Sequence, residues 1–289
     1  MQTGEPFPSN YPLRFGIGTG NRRPFPELAR QWQLVEQLGF DTAWVVDHLL
    51  AGPDEKTPYY EAWTLITALG VLTHRLRFGI MVSSNTFRNP GLLAKEALTI
   101  DHATNGRLEL GIGTGWMERE HEAYSYPFPA PGDRVGMLEE ALQIIRSLMS
   151  REETTFHGRY YDFERAPFEP KPLQQPHIPI VVGASGPRML AVTARYADNW
   201  NTRAEPERAA PLIAQLLDAC RRVGRDPAEL RLSVFTWHHP FTTADHLREV
   251  VASYRRLGIT DFIFPMPPDE EIPAMERLAR EVLPELRAS

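Results

Sequence analysis

The run Gly183-Ala184-Ser185-Gly186 places small side chains between an apolar strand and a predicted helix. Small residues let a ligand approach the backbone closely, and the free amides at the start of a helix attract an anion. Arg188, one turn into that helix, would add a bidentate contact. These five residues are therefore predicted to bind a phosphate group. The alternative is a tight turn that needs glycine for its geometry alone.

Two other side chains that could take part in catalysis or binding follow apolar runs. His48 comes after the run 42–46, and an imidazole that titrates near neutrality can orient a substrate or transfer a proton. A structural hydrogen bond to the adjacent Asp47 is the alternative interpretation. Trp116 follows the run 110–115 and is predicted to form an apolar or aromatic wall of a catalytic site, with simple packing as the alternative.

A repeated pattern places these residues at the ends of strands. The sequence at 14–20 recurs in part at 77–80 and at 110–115, each time as a short glycine-containing apolar run followed by helical periodicity. Strand and helix alternating along the chain predict an α/β fold, a (β/α)8 TIM barrel, whose ligands bind at the carboxyl ends of the strands. Strands are predicted at residues 14–17, 42–46, 76–82, 108–112, 178–182, 199–201, 230–236 and 262–264, with a hairpin inserted at 154–171 before strand five.

Composition narrows the class of protein. The chain has 289 residues, is 42% hydrophobic and carries a net charge of −6, so nucleic acid is not an expected partner. The sequence contains neither an apolar stretch of the roughly 20 residues that span a bilayer nor a secretory signal, and we expect a cytoplasmic protein without a membrane partner. It has a single cysteine, and its histidines lack the spacing of a metal site, so no metal is expected.

Taken together, the motifs at the strand ends resemble the luciferase-like monooxygenase superfamily. The resemblance covers residues 14–286 and implies a single luciferase-like TIM-barrel domain over residues 1–289. Members bind FMN or the deazaflavin coenzyme F-420, and the Gly113-Thr114-Gly115 form is more similar to the F-420-dependent oxidoreductases. The motifs are Trp44-x-x-Asp47-His48, Phe87-Arg88-Asn89-Pro90, Asp101-His102, Asn105-Gly106-Arg107 through Trp116, Val182 through Gly186, and Ala197-Asp198-Asn199-Trp200-Asn201.

The resemblance implies roles for several residues. It assigns the cofactor phosphate to the 183–186 turn, and it implies a cis peptide bond between Met81 and Val82 that presses against the central ring of the cofactor. Thr114 and Gly115 would hydrogen-bond the polar edge of that ring. It also supports His48 as a cofactor or substrate contact.

Three functions remain open at this point. The first is an oxidoreductase that transfers a hydride between coenzyme F-420 and a small organic substrate. The second is a two-component monooxygenase that uses reduced FMN and dioxygen, and the third is a catalytically idle member of the fold. Trp116 stands where the glucose-6-phosphate dehydrogenases of this family carry a glutamate, which argues against a sugar phosphate substrate. Relatives pair through the helices that flank strands two and three, so a homodimer is expected. Loops 51–60 and 116–131, together with the hairpin insertion, would decide the substrate.

Overall fold

Parallel strands alternate with helices in the computed structural model, which describes residues 7–50 and 55–288. Residues 51–54 of the predicted substrate loop, and residues 1–6 and 289 of the predicted domain, lie outside the described residues. The strands are β1 (Arg14–Gly18), β2 (Thr42–Val45), β3 (Arg77–Ile80), β4 (Ser83–Ser84), β5 (Leu108–Gly113), β6 (Glu153–His157), β7 (Asp162–Pro167), β8 (Ile180–Gly183), β9 (Asn199–Thr202), β10 (Arg231–Phe235) and β11 (Asp261–Pro265). The helices are α1 (Phe25–Gln37), α2 (Ala62–Gly70), α3 (Pro90–Ala103), α4 (Glu118–Ala123), α5 (Pro131–Ser150), α6 (Pro187–Tyr196), α7 (Pro206–Arg222), α8 (Ala244–Arg255), α9 (Ile272–Glu281) and α10 (Leu283–Ala288).

The sheet closes into the predicted barrel. Its order is β3-β2-β1-β11-β10-β9-β8-β5-β4, and β3 pairs with β5 to complete the ring. Because β3 and β4 both pair with β5, they occupy one position in the wall, which leaves eight positions. All of these pairings are parallel. The (β/α)8 prediction is therefore confirmed.

Two further elements predicted from the sequence, the hairpin and the third strand, can be compared with the structure. The antiparallel pair β6–β7 is the hairpin expected before strand five. The third predicted strand, residues 76–82, is interrupted, because regular pairing stops at Ile80 and resumes at Ser83. The peptide bond between Met81 and Val82, inside this interruption, is cis.

Two capped helices fix the segments on either side of the interruption. The Glu61 carboxylate accepts hydrogen bonds from the first-turn amides of α2 at Trp63 and Thr64, which otherwise lack partners. The Asn89 side chain accepts from Gly91 N, and Pro90 provides a favourable first residue for α3. Helices α2 and α3 therefore start at defined points beside the barrel mouth.

Apolar side chains fill the barrel interior towards its carboxyl end. Trp44, Met81, Val181, Phe235 and Ile263 form a separate buried cluster, to which β2, β8, β10 and β11 contribute. The larger core lies between the barrel wall and the surrounding helices. The small interior cluster thus forms the floor beneath the mouth of the barrel.

Charged side chains fill the amino end of the barrel. The buried Glu109 of β5 accepts from Arg14 Nη1 at 2.6 Å and from Arg77 Nε at 2.8 Å, and Arg14 also pairs with the buried Asp261. Burial on its own would raise the pKa of Glu109, but the two guanidinium groups lower it from an ordinary 4.5 to about 2. Glu109 is therefore ionised and fully paired at neutral pH.

Among the described residues, no helix is long and apolar enough to cross a membrane.

Replacing Glu109→Gln is expected to lower the free energy of unfolding at pH 7 by about 3 kcal/mol, because two largely buried guanidinium groups lose their shared carboxylate. The folded pKa of Glu109 lies below its unfolded value, so its stabilisation is complete above about pH 4.5 and is lost as the pH falls towards 2. Denaturant unfolding at several pH values should show the wild-type advantage shrinking across that window.

The matched control for this change is Glu153→Gln. Glu153 pairs with Arg165 on the exposed hairpin, where solvent screens the interaction. We expect this variant to unfold like the wild type at every pH. An equal loss in both variants, or a Glu109→Gln deficit that does not change with pH, would contradict the interpretation.

Candidate functional site

A cavity of about 440 Å³ opens at the carboxyl ends of the barrel strands, where the sequence predicts the site. Seven of the predicted site residues line it: His48, Met81, Val82, Thr114, Gly115, Trp116 and Gly183. Other lining residues include Asp47, Ser84, Glu120, Arg203 and Trp237. The predicted residues Ala184, Ser185, Gly186 and Arg188 do not line the cavity but continue from Gly183 onto the start of α6.

Val82 projects from the interrupted strand against bare backbone on two neighbouring strands. A Cβ atom at Gly113 would lie only 2.6 Å from Val82 Cγ2, and one at Gly183 would lie 3.5 Å from both Val82 methyl groups. A side chain at Gly113 would therefore collide with Val82, because the interior is already close-packed. Gly113 of β5 is therefore a steric requirement of the Met81–Val82 segment, and the cis bond stands where the resemblance predicts it.

Asp47 anchors the chain just after Val82. Its Oδ2 accepts from Ser84 N at 2.9 Å and from Arg88 Nη1 at 2.7 Å, and Arg88 also donates to Glu61 at 2.5 Å. Burial raises the pKa of Asp47, although the charge of Arg88 acts in the opposite direction. Both Asp47 oxygens have partners, so this carboxylate positions the segment rather than offering itself to a ligand.

His48 pairs with a carboxylate far away in sequence. Its Nδ1 lies 2.9 Å from Oε1 of the buried Glu120, whose Oε2 accepts from Leu49 N at 2.8 Å. Because the carboxylate accepts, Nδ1 carries a proton, so in the neutral form of the ring Nε2 has the lone pair. The alternative of an Asp47–His48 bond is wrong, and Glu120 also holds the loop through its bond to the Leu49 amide. Trp116 is 69% exposed. Its ring packs edge-on against the His48 ring, with 5.5 Å between the two ring centroids.

A chain of hydroxyl groups runs from the cavity to a buried histidine. His121 Nδ1 lies 2.8 Å from Met117 O, so this nitrogen is the donor and Nε2 accepts from Thr86 Oγ1 at 2.6 Å. Thr86 in turn accepts from Ser84 Oγ at 2.8 Å. Gly115 packs directly on this chain, since a Cβ there would lie 2.5 Å from Ser84 Oγ. His121 is thus structural.

The predicted phosphate turn lies where two helices begin. Neither α6, whose N-cap is Gly186, nor α5, whose N-cap is Ala130, receives a hydrogen bond from a capping side chain. Arg188 is exposed. A Cβ atom built on Gly132 would lie 3.3 Å from Arg188 Nη1, so the Arg188 side chain lies beside the first turn of α5. Two helix N-termini and an arginine together form a favourable environment for a phosphate.

Comparison with known proteins identifies the family. The profile described as luciferase-like monooxygenase matches residues 9–281. The chain belongs to this family. An uncharacterized protein of Mycobacterium tuberculosis is 30% identical over 91% of this chain and 96% of its own length. An F-420-dependent glucose-6-phosphate dehydrogenase of Microbacterium testaceum is 32% identical over 79% of this chain and 69% of its own length.

The fold comparison agrees with the sequence comparison. The structure of an F-420-dependent secondary alcohol dehydrogenase in complex with an F-420–acetone adduct superposes with a TM-score of 0.86. It covers 96% of this chain and 99% of its own, at 19% identity, which establishes the shared fold. Family and relatives together identify the protein as an oxidoreductase.

The histidines outside the site do not assemble a metal centre. Among the described residues there is no group of three or more histidine, cysteine, aspartate or glutamate side chains arranged to hold a metal ion. His157 pairs with Asp162 on the exposed hairpin, and His239 pairs with Glu271. Each therefore makes an ordinary ion-pair contact.

Sequence reasoning missed several residues of the site. Arg88 was noted only as part of a motif, although its position after strand three and the acid at Asp47 were signals of an ion pair. Arg203 directly follows β9, and Trp237 lies two residues after β10, so their places near strand ends could have marked them. Nothing local in the sequence pointed to the pairing of His48 with Glu120.

Replacing Gly115→Ala should cost about 2–3 kcal/mol of unfolding free energy. Its φ of 76° disfavours a side chain, and the new methyl group would also crowd Ser84 and Thr86. The matched control is Gly20→Ala, which has a similar φ of 68° but nothing within 4 Å of the added methyl. It should cost only about 1 kcal/mol. Equal losses in denaturant unfolding would show that the crowding has been misjudged.

Proposed function

We propose that the protein binds coenzyme F-420 and transfers a hydride between this cofactor and a small organic substrate. The observation that carries the proposal is the surface formed by Val82 and the glycines around it. Gly113, Gly115 and Gly183 leave bare backbone there, in the same cavity that His48 lines. An aromatic ring system needs a flat, close approach of this kind, and a bound phosphate needs the uncapped helix starts nearby.

Individual residues fit the parts of such a cofactor. Val82 would contact the face of the ring, and Thr114 and Gly115 would meet its polar edge. The turn from Gly183 to Gly186, with Arg188, would hold the phosphate. When bound, coenzyme F-420 supplies a ring carbon that accepts or gives a hydride. The protein supplies the position, the exclusion of water and the proton.

His48 is the candidate proton carrier. Glu120 holds Nδ1, so Nε2 is the ring nitrogen left to accept the hydroxyl proton of an alcohol substrate. In the opposite direction, a protonated His48 would give that proton to a carbonyl oxygen. Glu120 acts as a positioning residue, because it fixes both the ring orientation of His48 and the Leu49 amide.

The relatives favour F-420 over FMN. Two curated relatives at 31–32% identity, the glucose-6-phosphate dehydrogenase and a hydroxymycolic acid dehydrogenase of M. tuberculosis, carry F-420 dependence in their names. The family description as monooxygenase keeps reduced FMN with dioxygen as the second candidate. Both cofactors carry a phosphate, so the turn alone does not separate them.

Parallel fluorescence titrations of the purified protein with coenzyme F-420 and with FMN test the proposal. We expect F-420 to bind with a Kd at least about tenfold below that of FMN, a difference of about 1.4 kcal/mol. A preference for FMN would shift the function to oxygen activation. If neither cofactor binds, the idle member of the fold becomes the better interpretation.

Replacing Arg188→Met should weaken F-420 binding about tenfold, because a charge-assisted contact to the phosphate is lost. The matched control is Arg195→Met, which lies later on α6 and pairs with Glu139. It should leave the Kd within about twofold of the wild type. Similar affinities for the two variants would remove Arg188 from the phosphate site.

A further inference from the structure

Arg203 lies at the cavity, and none of the described carboxylates forms an ion pair with it. It follows β9 directly, lines the cavity and stays open to solvent. Its Cζ lies 3.8 Å from the centroid of the Trp237 ring and 4.7 Å from that of Phe235. Stacking on aromatic faces leaves the in-plane N–H groups of a guanidinium available for hydrogen bonds.

The other charged groups of the cavity are already paired. Asp47 forms an ion pair with Arg88. Glu120 contacts His48 Nδ1 and accepts a hydrogen bond from the Leu49 amide. Within residues 7–50 and 55–288, no carboxylate forms an ion pair with Arg203, and partial burial lowers its pKa without an opposing acid. Arg203 is therefore the cation of the cavity that the described chain leaves uncompensated.

The position of Arg203 is fixed by the packing beneath it. Phe235 is buried, and a Cβ at Gly18 would lie 2.5 Å from its Cζ, so the bare backbone of β1 accommodates the ring. Trp237 follows on the same segment after β10. The aromatic platform is thus built from β10, and it orders a side chain that would otherwise sample many rotamers.

Arg203 stands across the mouth from His48. Around the closed sheet, β9 and β2 are separated by β10, β11 and β1 on one side, and by β8, β5 and β3 on the other. The residues that follow these two strands therefore lie on opposite walls. A substrate with its reacting oxygen at His48 would extend its other end towards Arg203.

We infer that the substrate is an organic oxyanion, a carboxylate or phosphate monoester with an apolar or aromatic body, whose charged group pairs with Arg203. This inference rests on the proposed function for the reaction itself. The exposed rings of Trp116 and Trp237 line the same cavity and suit the apolar body. Arg203 is then a specificity-determining residue, because a neutral analogue would forgo the ion pair.

Binding of small probes tests the inference without knowledge of the substrate. Benzoate and phenyl phosphate are titrated against benzyl alcohol, following tryptophan fluorescence, in the protein alone and in the protein loaded with F-420. We expect both anions, or one of them, to bind at least about tenfold more tightly than the neutral alcohol. The anion that binds more tightly identifies a carboxylate or a phosphate as the preferred group.

Three variants assign the effect to Arg203. Arg203→Met should weaken anion binding about tenfold and leave benzyl alcohol within about twofold, whereas Arg203→Lys should recover part of the anion affinity. Arg208→Met, an exposed arginine of α7 outside the cavity, should behave as the wild type. Undiminished anion binding by Arg203→Met, or equal binding of charged and neutral probes by the wild type, overturns the inference.

A separate F-420 titration of each variant distinguishes this inference from the proposed function. Arg203→Met should keep the wild-type Kd for F-420. A loss of F-420 affinity with unchanged anion binding would assign Arg203 to the cofactor and overturn the inference. If the wild type does not bind F-420 at all, the proposed function fails, while the anion titrations of the protein alone still decide the role of Arg203.

Discussion

The candidate site depends on one steric constraint, which is the place that Val82 occupies against the barrel wall. No Cβ atom fits at Gly113 beside its methyl groups, and Gly183 contacts it from the other side. The strand that carries Val82 leaves its regular pairing at Ile80, and the buried Asp47 holds it again at Ser84. The glycines, the interrupted strand and the Asp47–Arg88 ion pair therefore act as one unit. Changing any one of them would move the surface on which the proposed cofactor ring would rest.

The two ends of the barrel use charge in different ways. At the amino end, Glu109 and two arginines satisfy one another in the interior, so this end contributes to stability and closes the barrel. At the carboxyl end the acids are also paired, but two nitrogen-bearing side chains, His48 and Arg203, keep groups available. Glu120 orients His48 and leaves Nε2 open, and Phe235 supports Arg203 without neutralising it. Stability and reactivity are thus separated along the barrel axis.

The sequence was sufficient for the barrel and for the location of the site, but not for its pairings. Alternating apolar runs and helical stretches are local signals, so the strands and the inserted hairpin could be predicted within one to a few residues. The choice between Asp47 and Glu120 as the partner of His48 could not. Asp47 is instead bonded to Ser84 N and Arg88, contacts that also form only in the closed fold. The actual partner of His48 lies 72 residues further along the chain, where only the closed fold brings it near.

Arg203 shows the same limit more clearly. Its place after a strand can be read from the sequence, but its role depends on groups from three other strands. Gly18 of β1 makes room for Phe235 of β10, Trp237 completes the platform, and His48 beyond β2 defines the opposite wall. The residues proposed to contact the cofactor and to carry the proton lie on the β2–β5 and β8 side of the mouth. Under the proposed function, the remaining side could change its substrate contacts without disturbing the hydride chemistry, and Arg203 there would make charge the property that this chain selects.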